Sequence, residues 1–305
     1  MQAATDNSKA RNPLLQTVPQ AGAGADTLLG ARCEPAAGAD ASTPQFGMVC
    51  QPICRANGQG GPAWVEMLIR GKGRDAQATP MELVRRGYRH AGLKFDLMVL
   101  EAALATASQL RPDTRIGINI RPCSLNQPGF IRALQAMLMR RRIAPNRLVL
   151  ELVEFHGPVR LALARRALRQ LRRMQIMVAL DDFGPGHPNL DVLGEGLVDF
   201  VKLDRSLVAA IDRSPCQTGV LQGIAALAAN TGITLVAEGI ETPAQMHALR
   251  RLGIDWMQGF LFGRPAPLAR RSNHQPSAAV CSPRVAETAP VFDPRTPSTE
   301  KEQNA

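Results

Sequence analysis

Two adjacent acids, Asp181 and Asp182, followed after about twenty residues by Lys202 and Asp204, are the residues of this chain best suited to chemistry. The acids close an apolar run, Ile176–Leu180. Lys202 and Asp204 close a second run, Leu197–Val201, broken only by Asp199. Short apolar runs bounded by turn signals read as buried strands, and a short helix over Asn189–Leu193 would join them. The acids and the lysine then share the carboxyl-terminal end of neighbouring parallel strands, where barrel and open α/β enzymes place their chemistry. Adjacent aspartates beside a buried strand repel each other, and a divalent cation removes that cost. Only five of the 36 basic residues are lysines. A lysine ending an apolar strand therefore suggests that a compact ammonium is needed there; a chance lysine paired with Asp204 is the alternative.

Further acids, amides and the lysine recur at or near strand ends: Glu66, Asn119, Glu151, Asp181, Asp182, Lys202, Glu238 and Gln258. The oxygen donors Glu66, Asn119, Glu151, Asp181 and Asp182 suit Mg²⁺ or Mn²⁺ rather than zinc. Two such ions, roughly 3.5–4 Å apart, polarise a phosphodiester and acidify a bridging water. Lys202 beside them can hold that water and screen phosphate charge. Glu238 can bind metal or accept a proton. The chemistry implied is metal-assisted hydrolysis of a phosphate ester, and these residues alone do not name the substrate.

Eight strands must carry these groups. Phe46–Cys54 and Ala63–Arg70 are joined by a link too short for a parallel crossover, so the sheet opens with one reversed strand. Glu66 interrupts an apolar strand, and alternation leaves it either solvated or buried. The remaining strands are Arg115–Ile120, Leu148–Leu152, the two runs above, Thr234–Ala237 and Trp256–Phe260. Helices are expected over Pro80–Ala91, Phe95–Leu110, Gly129–Arg142, Val159–Met174, Gln217–Asn230 and Pro243–Leu252. The fold class is α/β: a (β/α)8 TIM-like barrel with one antiparallel strand.

Composition bounds the rest. The 305 residues suit one barrel of about 250 residues plus tails. Residues 1–45 and 269–305, poor in periodic apolar positions, read as disordered arms around a domain at 46–268. No apolar run approaches the ~18 residues of a membrane span, and the N-terminus lacks the form of a secretory signal; the protein is expected to be cytoplasmic. The six cysteines show no metal spacing and read as reduced thiols. The net charge of +10 favours an anionic substrate. The arginines gather on helices such as Val159–Met174 without interleaved aromatics, so no nucleic-acid partner is expected.

The motifs, taken together, resemble the EAL-domain family of cyclic di-GMP phosphodiesterases. They run in family order: Gln51-Pro52-Ile53, Glu66-Met67-Leu68 with Arg70, Asn119-Ile120-Arg121-Pro122, Glu151-Leu152-Val153-Glu154, Asp181-Asp182-Phe183-Gly184, Val201-Lys202-Leu203-Asp204-Arg205-Ser206, Ala237-Glu238-Gly239-Ile240-Glu241-Thr242 and Gln258-Gly259-Phe260-Leu261-Phe262-Gly263-Arg264-Pro265. The resemblance covers about Phe46 to Pro267. It implies Mg²⁺- or Mn²⁺-dependent hydrolysis of cyclic di-GMP to linear pGpG, in signalling that governs biofilm and motility. By position, Glu66, Asn119, Glu151, Asp181, Asp182 and Glu238 would ligate metal, and Lys202 would contact the attacking water. Gln51, Arg70 and Gln258 would bind substrate, Arg70 at a phosphate, and Glu154 would anchor the loop after the fifth strand.

Two departures stand out. The family's Glu-Ala-Leu reads Glu66-Met67-Leu68, which keeps the acid. The loop after Asp182 carries Pro185, His187 and Pro188 where the family has Thr, Tyr and Ser, removing two N–H donors. In the family this loop connects the metal site to a dimer contact. A homodimer, a regulatory protein partner and a catalytically silent receptor for cyclic di-GMP are therefore alternatives to set beside the active enzyme.

Overall fold

The computed structural model describes residues 43–56, 64–153, 164–184 and 193–268. Most of the two expected arms lies outside these residues. Eight strands close into a barrel in sequence order: β1 (Phe46–Arg55), β2 (Trp64–Gly71), β3 (Arg115–Ile120), β4 (Leu148–Leu152), β5 (Met177–Phe183), β6 (Phe200–Leu203), β7 (Thr234–Ala237) and β8 (Trp256–Gln258). β1 runs antiparallel to both neighbours, β2 and β8, and every other pairing is parallel. The reversed strand expected from the short link is thus present, and the barrel closes through it.

Among the described residues the α-helices are α1 (Pro80–Ala91), α2 (Lys94–Ala107), α3 (Pro122–Leu125), α4 (Phe130–Arg141), α5 (Arg165–Arg173), α6 (Arg205–Val208), α7 (Pro215–Thr231) and α8 (Pro243–Arg251). Local chemistry sets several starts. Thr79 and Glu82 form a capping box on α1, Thr242 and Gln245 form another on α8, and proline opens both helices. α5 buries Ala167, Leu168 and Leu171 while its arginines face outward, two of them, Arg165 and Arg169, reaching Glu195. Among the described residues no helix is long and apolar enough to cross a membrane.

Several strand boundaries differ from expectation by a residue or more, and two of these differences move the site. β6 starts at Phe200 rather than Leu197, because Asp199 turns to β5: its carboxylate accepts the Val178 N–H at 2.8 Å and its own N–H donates to the Val178 carbonyl at 2.9 Å. Lys202 therefore sits inside the strand. β5 continues through Asp181 and Asp182 to Phe183 instead of stopping before them.

Strand alternation divides the barrel interior into layers. Ile53, Trp64, Val149, Ala179, Phe200, Val236 and Trp256 form one apolar cluster. The Trp64 ring lies 4.7 Å from Phe200 and 6.3 Å from Trp256. Each buried indole contributes on the order of 5 kcal/mol of transfer free energy. Two residues further along each strand, in the direction of the carboxyl-terminal mouth, the inward positions are Gln51, Glu66, Glu151, Asp181, Lys202, Glu238 and Gln258. Asn119 follows Gly117 in the same way. A rigid aromatic floor thus carries a polar layer.

Among the described cysteines one expectation is corrected: Cys54 is disulfide-bonded, whereas Cys50, Cys123 and Cys216 form no disulfide. Sequence spacing without distances cannot reveal such a pair.

Candidate active site

The centre of the polar layer is the ammonium of Lys202, 1% exposed. Its Nζ lies 2.6 Å from Glu151 Oε2, 2.7 Å from Glu238 Oε1, 2.8 Å from Asp181 Oδ1 and 3.5 Å from Glu66 Oε2. Four carboxylates from four strands or strand ends therefore converge on one cation. Amides brace the ring: Asn119 Nδ2 donates to Glu66 Oε1 at 2.8 Å, and Gln258 Nε2 donates to Glu66 Oε2 at 2.6 Å and to Gln51 Oε1 at 3.2 Å. Gln51 in turn donates to the Gly263 carbonyl.

Consecutive strand residues point to opposite faces, so Asp181 and Asp182 should not both serve one site. A register shift between Leu180 and Phe183, with Asp182 at φ 52°, resolves this. The bulge brings carboxylate oxygens of Asp181, Asp182 and Glu238 within 4.8 Å of one another. A non-glycine residue in that conformation costs on the order of 1 kcal/mol or more, a strain typical of functional positions.

Gly117 makes room beneath the ring. A Cβ there would stand 1.9 Å from Glu151 Oε1 and 2.7 Å from Trp64 Nε1. Only glycine lets the fully buried Glu151 carboxylate occupy its place.

One ammonium does not balance this many acids. Burial pushes the Glu151, Asp181 and Asp182 carboxyls above the usual range, and mutual repulsion adds to it despite Lys202. Burial takes Glu238 up to about 8. Glu66 is the exception: burial raises it, but Lys202 and hydrogen bonds from Gln258 and Asn119 bring it below its ordinary value. Burial would strip Lys202 of its proton, yet Asp181, Glu151, Glu238 and Glu66 hold it firmly charged.

The donor set fits a hard divalent cation. Oxygens of Glu66, Glu151 and Asp181 also lie within 4.8 Å of one another. The buried oxygens Glu151 Oε1 and Asn119 Oδ1 have no hydrogen-bond partner among the described residues. Unpaired buried acceptors are costly, and a hard cation is the kind of partner that oxygen donors of this type suit.

Above the ring opens a cavity of about 280 Å³, lined by Gln51, Glu66, Asp181, Lys202, Glu238 and Gln258, with Leu68, Arg205, Gly239, Glu241, Gly259 and Phe260 at its rim. The structure brings together all the expected site residues among those described except Arg70. Arg70 Nη1 turns back to the Ile69 carbonyl at 2.8 Å, and Arg70 does not line the cavity. Glu154, His187 and the Pro185–Asn189 segment lie outside the described residues. Three rim residues, Arg205, Glu241 and Phe260, stand in the motifs of the sequence but carry no expected role. Arg205 and Glu241 pair at 3.0 Å. Phe260 is 46% exposed, with the Arg264 guanidinium 3.9 Å from its ring centre. Its position two residues after Gln258, just past the end of β8, was the available signal.

Residues 38–265 match the EAL domain family. The chain belongs to that family. Its EAL domain is 30% identical over 226 residues to the probable cyclic di-GMP phosphodiesterase PdeA of Escherichia coli K12, covering 73% of this chain and 31% of that protein. The chain spans about a third or less of the length of the curated relatives it matches first. Among solved structures, the EAL barrel resembles the PaMucR phosphodiesterase in its c-di-GMP complex, with TM-score 0.61 and 26% identity over 73% of this chain and 93% of that one. It also resembles Klebsiella pneumoniae BlrP1 in a manganese/cy-diGMP complex, with TM-score 0.64 and 28% identity over 73% of this chain and 58% of that one.

Proposed function

We propose that this EAL domain, residues 46–268, hydrolyses cyclic di-GMP to linear pGpG in the cytoplasm with Mg²⁺ or Mn²⁺. The observation that carries the reading is the convergence of four carboxylates on Lys202 beside the unpartnered buried oxygens Glu151 Oε1 and Asn119 Oδ1. Glu66, Glu151, Asp181, Asp182 and Glu238 would hold the cations, as two groups of ligands sharing Asp181, and Asn119, bonded to Glu66, would join the first group. Bound there, a divalent cation supplies polarisation of the phosphodiester and acidification of water.

The chain's own residues do the rest. Lys202 Nζ, whose three N–H groups rest on Glu151, Glu238 and Asp181, turns one of them to the attacking water and faces the phosphate charge. Glu238, least enclosed of the four acids around Lys202 at 18% side-chain exposure, accepts the water proton. The water oxygen bonds to phosphorus as the bond from phosphorus to the ribose 3′-oxygen breaks, and the departing oxygen takes up a proton. Gln258 and Gln51 orient the substrate at the cavity wall. A cavity of about 280 Å³ takes the reacting phosphodiester, not a whole cyclic dinucleotide, so the bases must spread over the rim. Phe260, exposed there and backed by Arg264, offers a stacking face for one of them. Arg70 would reach a phosphate only after releasing the Ile69 carbonyl.

Glu238→Gln tests this assignment. It abolishes pGpG formation while equilibrium dialysis still finds cyclic di-GMP bound. Normal turnover by that variant would rule out Glu238 as the proton acceptor.

A further inference from the structure

Outside the carboxylate ring, α2 encloses another acid. Asp96 is 2% exposed and accepts three hydrogen bonds. Its Oδ1 takes the Tyr88 hydroxyl from α1. Its Oδ2 takes the Ser124 hydroxyl and, at 3.3 Å, the backbone N–H of Arg121. Arg121 is the residue that starts α3, where no side chain caps the helix locally, and the Ser124 N–H closes the turn onto the Arg121 carbonyl at 3.0 Å. Asp96 supplies from a neighbouring helix the acceptor that this turn lacks. The Arg121 guanidinium lies over the Tyr88 ring, 3.6 Å from its centre, so the same tyrosine holds both the acid and the start of α3.

This turn is the continuation of the strand that carries Asn119. Two peptide bonds separate Asn119 from Arg121, and the intervening Ile120 is fully buried. Asn119 must be oriented: its Nδ2 holds Glu66 Oε1, and its Oδ1 is one of the buried oxygens left without a partner among the described residues. The ladder to β4 holds Asn119 from one side, opposite Glu151; the bond that the Arg121 N–H donates to Asp96 fixes the chain just beyond it.

We infer that Asp96 is the positioning residue for Asn119, acting through the Arg121 peptide, with Tyr88 and Ser124 holding Asp96 in turn. The inference rests on the reading of Asn119 as a cation ligand. Among the described residues, the charged and titratable groups facing Asp96 are Arg121 and Tyr88, with Cys123 beside Tyr88. Burial carries the Asp96 carboxyl up to about 6, against the hydrogen bonds from Ser124, Tyr88 and Arg121. At neutral pH it is ionised and can accept from all three donors.

The test uses the full chain, Mn²⁺ titration calorimetry, and protection of the Arg121 amide against hydrogen exchange. Asp96→Ala weakens Mn²⁺ binding roughly 10- to 100-fold, the effect of removing a group that orients a ligand, and lowers Arg121 protection. Asp96→Asn keeps one oxygen for the Arg121 N–H and loses less on both readouts. In the wild type, Arg121 protection rises as pH passes about 6; in Asp96→Asn that rise is gone. A folded Asp96→Ala with wild-type Mn²⁺ affinity and wild-type Arg121 protection overturns the inference. Should Asp96→Ala fail to fold, Asp96→Asn decides: an unchanged pH profile of Arg121 protection overturns it equally. A wild-type chain that binds no Mn²⁺ overturns the ligand reading of Asn119, and the inference with it.

Discussion

Lys202 Nζ lies 2.6 Å from Glu151 Oε2, and both side chains are sealed from solvent. A buried pair of this kind is held by its surroundings as much as by its own attraction, since desolvation offsets most of the Coulomb gain. The surroundings of this pair are three further carboxylates, so the lysine neutralises a site that would otherwise be strongly anionic.

Lys202→Met removes that neutralisation and leaves the acids facing one another. Breaking a buried pair typically costs about 3–5 kcal/mol, so the melting temperature of the metal-free variant falls. Added Mn²⁺ restores more stability to the variant than to the wild type, while hydrolysis stays lost. Thermal melts with and without Mn²⁺ check this, and equal gains in both proteins would contradict it.

Gly117→Ala places a methyl 1.9 Å from Glu151 Oε1. The strand backbone cannot yield, because Gly117 pairs with both Glu66 and Val149. Glu151 must rotate, so Mn²⁺ affinity falls by at least about tenfold, with overpacking costing roughly 1–3 kcal/mol of stability. Calorimetric titration and denaturant melts measure the two effects separately.

The raised carboxyls set a pH dependence with a definite sign. Glu238, lifted by burial to about 8, and Glu151, Asp181 and Asp182, also lifted, bind protons more tightly folded than unfolded. Their contribution to stability is fully present below the ordinary carboxylate pKa and is lost as pH rises through the folded values. The metal-free protein therefore weakens between about pH 5 and about pH 8. A divalent cation takes the place of the protons, so the gain in melting temperature on adding Mn²⁺ grows across the same interval. A gain independent of pH would contradict this.

Phe260→Ala weakens cyclic di-GMP binding by about 1–3 kcal/mol, the usual loss of a base-stacking ring, and leaves Mn²⁺ affinity unchanged. Fluorescence or calorimetric titration of the nucleotide decides it.

How far the sequence spoke depended on the physics involved. The barrel was readable because each strand is a short apolar run closed by turn residues, and the link after β1 was too short for a parallel crossover. The ring was readable because acids ending apolar strands are rare. The bulge at Asp182 was not, since a register shift depends on the neighbouring strand and not on local residue types. The shift of β6 was hidden for the same reason: Asp199 finds its partner, Val178, across the sheet. Glu66 illustrates the middle case. Alternation left its face open, and only barrel closure, which sets Asn119 and Gln258 against it, places it inside. Arg70 stands apart from the ring, its side chain donating to the Ile69 carbonyl on its own strand.

The most direct measurement is product analysis. Purified protein is incubated with cyclic di-GMP and Mn²⁺, and the nucleotides are separated. The predicted product is pGpG, lost when a chelator removes the cation and lost in Glu151→Gln. Cyclic di-GMP that remains bound and intact in the presence of Mn²⁺ would contradict hydrolysis and make this barrel a receptor.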